Sequence, residues 1–129
     1  MATGLPAVTG DVLTAATFNG LITFTVGAAN TVDYTAVLAD QYQVLQIMNK
    51  ATAVAFKIPT DASVAFPIGT ALTVLSIGAG AVTISAVTPG TTTVLSAGAV
   101  AASPTLAQYK TAVCIKTAAN AWYVVGAIA

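Results

Sequence analysis

Between Asp61 and Lys110 the chain carries no charge at all, yet glycine and proline interrupt it repeatedly. Pro67, Gly69, Gly78, Gly80, Pro89, Gly90, Gly98 and Pro104 all fall inside this stretch, among many Thr and Ser. A membrane-spanning helix needs about 20 predominantly apolar residues without such breaks, so none is expected. A transmembrane β-barrel wants aromatic girdles at both interfaces, and aromatics make up only 7% of the chain. What remains is a set of short apolar segments separated by turns, which is a β reading.

The rest of the composition sharpens the question of what covers so much apolar surface. Length, 129 residues, suits one domain. Hydrophobic residues reach 57% and charged residues only 6%, where ordinary globular chains carry about 25% charged. Four Lys balance four Asp, with no Glu, Arg or His, so the net charge is zero. A neutral surface resists association poorly, and it is tolerable when copies of the chain or a partner cover it. Four separated lysines give no basic patch for nucleic acid.

Chemistry is thinly supplied. Without His or Glu, general acid–base work falls to Asp, Lys, Tyr or Cys, and Asp11, Asp33, Asp40 and Asp61 are dispersed rather than paired. One Cys and no His give no metal-ligand set, so no metal and no cofactor is expected. The glycines of "GAGAVT" lead into a strand rather than a helix, unlike a phosphate-binding loop. Cys114, in "TAVCIKT", reads as a small core hydrophobe on a buried strand. This inventory predicts a binding or structural protein and no enzyme.

Along the chain, residues 1–20 differ from residues 21–129. "MATGLPAVTG" has no basic or continuous apolar leader, and its lack of period predicts an extended arm. Thr14 caps a short helix over 14–20, with Leu13 and Phe18 at the spacing of a hydrophobic staple and Gly20 as its stop. Disordered leaders are polar and charged, whereas this one offers Leu5, Pro6, Val8, Val12 and Leu13. Together with Phe18 these are the candidate partner-binding residues.

From residue 21 the signal is β. "VDYTAVL" places Val32, Tyr34, Ala36 and Leu38 on one face of a strand. "YQVLQIM", "TALTVLSI" and "AVTISAV" are apolar on both faces, and "GAG" at 78–80 predicts a hairpin between the last two. "TTTVLSA", "AVCIKT" and "AWYVVGAI" complete the set, the last two joined by "AAN". "AVAFKI" recurs ten residues later as "SVAFPI", which predicts two strands flanking "PTDAS" with a core Phe on each. Short strands at regular intervals predict an all-β fold, a single antiparallel β-sandwich or partly closed barrel. Trp122 and Tyr123 are expected to divide between core and subunit contact, with a glycan platform as the alternative. The threonines at 91–93 suit an exposed strand, or a row of hydroxyls.

The order "YTAVLAD…VLQIMNKATAVAFKIPTDASVAFPIGTALTVLSIGAGAVTISA…AQYKTAVCIKTAANAWYVVGAIA" resembles β-rich modules of tailed-bacteriophage virion proteins. The matching positions are Tyr34 to Asp40, Met48 and Asn49, Pro59 to Thr70, Gly78 to Thr83, Gln108 and Tyr109, and Asn120 to Ile128. "GDVLTAATFN" is similar to an opening found in tail-fibre and related virion proteins. The likeness covers nearly the whole chain, and "SVAFPIGT" with "GAGAVT" is its most specific part. At the end, "VGAIA" replaces an acidic "GDL", so one charged position of the pattern is lost.

The resemblance implies a structural virion protein at the capsid surface, assembled in the host cytoplasm. A chain this short fits a decoration (cement) protein bound to the major capsid protein. A tail-fibre or receptor-binding knob for a host glycan is the alternative. Homo-oligomerisation is implied as well, a trimer ahead of a dimer.

Overall fold

The computed structural model describes residues 23–96 and 104–128. Ten strands follow one another: β1 Thr25–Asn30, β2 Tyr34–Thr35, β3 Val44–Met48, β4 Val54–Ile58 and β5 Ala71–Ser76 in the first half. β6 Val82–Ala86, β7 Thr93–Ser96, β8 Thr105–Leu106, β9 Thr111–Ala118 and β10 Ala121–Gly126 make up the second. The one helical element among the described residues is a 3-10 turn at Leu38–Gln41, and none is long and apolar enough to cross a membrane. The protein is all-β, as its composition implies. The predicted helix at 14–20 and the arm before it lie outside the described residues.

The strands form two sheets, one of six strands in the order β1-β3-β5-β9-β10-β7 and one of four in the order β2-β4-β6-β8. Neither closes on itself within the described residues. An antiparallel architecture is not what forms. From β1 to β6 the chain alternates between the sheets, so each strand lies parallel to the one two places earlier. The result is a short stack of coils, each with one strand in either sheet. Only β9, β10 and β8 enter antiparallel, β9 beside β5 and β10, β8 beside β6.

A single constant offset carries Leu45 onto Thr73, Met48 onto Ser76, Val54 onto Val82 and Ile58 onto Ala86. The corner between the strands obeys it too. Ile77 N donates to Met48 O (2.9 Å), Gly80 N to Lys50 O (2.9 Å) and Val54 N to Ala81 O (3.1 Å). "GAG" is therefore no hairpin turn, because β5 and β6 belong to different sheets. Its glycines admit the backbone of the coil before: a Cβ on Gly80 would overlap the Thr52 carbonyl, and one on Gly78 the backbone of Lys50. Glycine inside a β segment often marks such a close approach.

Other local expectations are corrected in the same way. Only Tyr34–Thr35 of "VDYTAVL" is strand. Ala36 is buried and Tyr34 half-buried, but Val32 and Leu38 are exposed. The chain leaves the sheet there because the Asp40 carboxylate draws it inward, accepting from Val37 N at 3.0 Å and from the Tyr34 hydroxyl at 2.8 Å. In the repeated segment, Phe56 sits on β4 while Phe66 reaches the core without a strand. Phe66 packs edge-on against Trp122, ring centres 5.5 Å apart. The "AAN" turn between β9 and β10 forms as read, with Asn120 in the left-handed region (φ 51°) that Asn tolerates.

Inward side chains of both sheets join one core, including Met48, Phe56, Leu72, Ile84, Trp122 and Val124. Full burial of each such side chain stabilises by about 1.5–3 kcal/mol. Cys114 lies in this core, and burial pushes its thiol up to about 12. The thiolate is the reactive form. Cys114 is thus expected to stay unmodified by maleimide in the native protein and to react once denatured. Intact mass before and after denaturation reads this directly.

Candidate interaction face

The charged side chains show first where the site is not. Asp33 accepts from Ala55 N (2.9 Å) and pairs with Lys57 at 3.7 Å. The backbone bond, more than the Lys57 charge, holds its carboxyl below the ordinary range. Asp40 is buried and takes hydrogen bonds from Tyr34, Val37 and Gln46. Burial and the adjacent Asp40 carboxylate push the Tyr34 phenol up. Asp61 accepts from the Lys116 ammonium at 2.7 Å and from Asn120 N at 3.0 Å. Lys116, itself buried, also donates to Phe66 O at 2.6 Å. Each of these carboxylates fastens one part of the chain to another. Among the described residues no three metal-ligating side chains come together.

The outer faces of the two sheets carry the more informative contrast. On the four-stranded sheet, register aligns Thr35, Lys57 and Ser85 in one row and Ala55, Thr83 and Thr105 in the next. That is the polar face expected of a sheet with one side in water.

The six-stranded sheet departs from this rule. Its register aligns Val26, Leu45, Thr73, Val113 and Val125 in one row. A second row holds Ala71, Ile115, Tyr123 and Leu95, and a third Ile47, Leu75 and Thr111. None of these residues is charged. Lys116 is the one charged residue on the six strands, and it points inward. Val26, Tyr123 and Val125 are 64%, 45% and 37% exposed; the middle of the face is half-buried, shielded by cross-strand neighbours at the usual close spacing. Contiguous exposed apolar patches larger than a few hundred Å² are rare on soluble monomers, which makes this face the candidate interaction surface.

The residues singled out from sequence fall unevenly around this face. Trp122 is 1% exposed, part of the core, and offers no platform to a sugar. Tyr123 stands beside it on the outer face, so the pair divides with one ring in the core and one outside. Thr92 is buried, its hydroxyl donating to Asn120 Oδ1 at 3.4 Å, between exposed Thr91 and Thr93. No continuous hydroxyl row forms there. Leu5, Pro6, Val8, Val12, Leu13 and Phe18 lie outside the described residues. The face itself was not named from sequence, although the signal was present in strands apolar on both sides.

Fold and face together define an all-β protein of two sheets with one polar and one apolar outer surface. Comparison with known protein families, with curated proteins and with solved structures finds no match.

Proposed function

We propose that the protein is a structural component of a bacteriophage virion, a decoration protein that binds the assembled head and stabilises its shell. The observation that carries this reading is the uncharged apolar face of the six-stranded sheet on a chain with so few charges elsewhere. Such a surface suits a protein packed among fixed neighbours rather than one free in solution. The carboxylates of Asp33, Asp40 and Asp61 are engaged in holding the chain together, which leaves little for acid–base chemistry, and the role needs no cofactor. In this reading the two sheets pack as a sandwich, and the major capsid protein is the shell partner. The chain also self-associates, as a trimer by the resemblance or otherwise as a dimer.

Residues Leu5, Pro6, Val8, Val12, Leu13 and Phe18 are assigned to docking on the shell or a neighbouring subunit. Pro6 limits the freedom lost when an extended segment settles in a groove. Deleting residues 2–12 is expected to leave the β fold intact and to weaken binding to shells that lack the protein. Binding as tight as that of the full chain would overturn the assignment.

A receptor-binding knob at a fibre tip is separated from this reading by copy number. Virions assembled with the chain should carry it in hundreds of copies, read from band intensity on a stained gel. A few tens or fewer would favour the fibre tip.

A further inference from the structure

We infer that the apolar outer face of the six-stranded sheet packs against the same face of a second copy, related by a two-fold axis running along β9. The inference rests on the self-association part of the proposed function and names the surface and the symmetry.

Area is the first argument. With the axis on β9, β1 of each copy lies beyond the partner's β7, so five strands face each other. About 4.8 Å apart, with about five residues each at roughly 3.4 Å, they present about 400 Å². Two copies would bury on the order of 800 Å² of flat sheet, more once side-chain relief is counted, at the small end of specific interfaces. Charge is the second argument. With no charged residue in any row, the face gains nothing from a partner of either sign. The surface that fits it is another flat, uncharged sheet, and two such sheets pack about 10 Å apart.

The order of residues supplies the symmetry. In the row Ala71–Ile115–Tyr123, the small residue is on β5, Ile115 in the middle on β9, and the large ring on β10. The neighbouring row sets Thr73, Val113 and Val125, side chains of nearly equal size, in the same places. Turning a second copy about an axis along β9 exchanges β5 with β10. Tyr123 of one copy then lies over Ala71 of the other, Val125 over Thr73, and Ile115 meets Ile115. The one large ring faces the one small residue, and the β-branched side chains face others of similar size, as an isologous, self-complementary contact allows. The geometry therefore selects the dimer over the trimer.

Sedimentation equilibrium of the full chain at micromolar concentration tests this. The expected mass is twice that of the 12.8 kDa chain. Tyr123→Lys and Val125→Lys alter side chains already exposed, and each is expected to give monomer with an unchanged far-UV spectrum. Thr35→Lys, on the polar sheet, should remain dimeric. Ile115→Cys gives a second reading, because a short bismaleimide, which spans the gap between facing sheets, should link two copies through that position while buried Cys114 stays unreacted. A wild-type monomer overturns the second copy as occupant, and a wild-type trimer overturns the two-fold axis. Wild-type mass retained by both lysine variants, or no cross-link through position 115, removes the face from the contact. The last two results would leave docking on the shell through Leu5, Pro6, Val8, Val12, Leu13 and Phe18 to its own deletion test, and would free this face for a partner other than a second copy.

Discussion

Replacing Gly80 by alanine is expected to lower the unfolding free energy by about 3 kcal/mol, the upper part of the range for overpacking. The added methyl has nowhere to go, because the Thr52 carbonyl of the preceding coil occupies its position. Relief by a flexible side chain is not available, since the obstacle is backbone on a corner held by Gly80 N donating to Lys50 O. The coils must separate locally, loosening the parallel pairing of β4 with β6 that begins at Val54 and Val82. Gly78→Ala meets the backbone of Lys50 and should behave alike. Gly90→Ala is the control: nothing lies within 4 Å of its added carbon. It should leave stability unchanged or raise it by about 0.4–1 kcal/mol through the unfolded chain. Urea denaturation of the three variants reads the difference, and thermal midpoints should separate by roughly 10 °C. Equal stabilities would mean that the corners do not stack.

Removing the Asp61 carboxylate carries the second large effect. Asp61→Ala is expected to cost about 3 kcal/mol, the lower part of the range for breaking a buried pair. It strands the Lys116 ammonium, whose side chain is 4% exposed, and removes the acceptor for Asn120 N. Lys116→Met should cost less. The carboxylate it leaves behind is 27% exposed and still reaches water, while the methionine keeps most of the buried stem. A charge left in the core is the greater penalty.

The same pair sets a dependence on pH. The hydrogen bond with Lys116, more than any other contact, holds the Asp61 carboxyl in the folded chain below the ordinary carboxylate range. A carboxyl that ionises more readily folded than unfolded stabilises the fold above its unfolded pKa. That contribution is lost as pH falls through the folded value. Wild type should lose stability below about pH 4, and Asp61→Ala should lose less over the same interval. Denaturation midpoints measured between neutral and strongly acid pH check both slopes.

These two sites show how far the amino-acid order discloses the fold. Alternation in "TALTVLSI", "AVTISAV", "AVCIKT" and "AWYVV" is local, and β5, β6, β9 and β10 form where it lies. Parallel stacking was not legible, because the partners of β3 and β4 lie a whole coil away. What recurs at the constant offset is slight: Ala51, Ala53 and Val54 reappear as Ala79, Ala81 and Val82. Gly78 and Gly80 satisfied the local rule for a hairpin, while tertiary packing used them for close backbone approach. Asp61 looked solitary because Lys116 lies so far along the chain. The apolar face was half legible. Strands apolar on both sides pointed to a covered surface, but only the register across β3, β5, β9 and β10 shows which side chains make it.

The most direct measurement adds the full chain to purified capsid shells that lack it. Bound protein is then counted by co-sedimentation, and the melting of the shell is followed with and without it. The proposed function predicts saturable binding at a fixed number of copies per shell subunit, together with a higher melting temperature for the decorated shell. Protein left in the supernatant, or shells that melt at the same temperature whether or not it is bound, would contradict it.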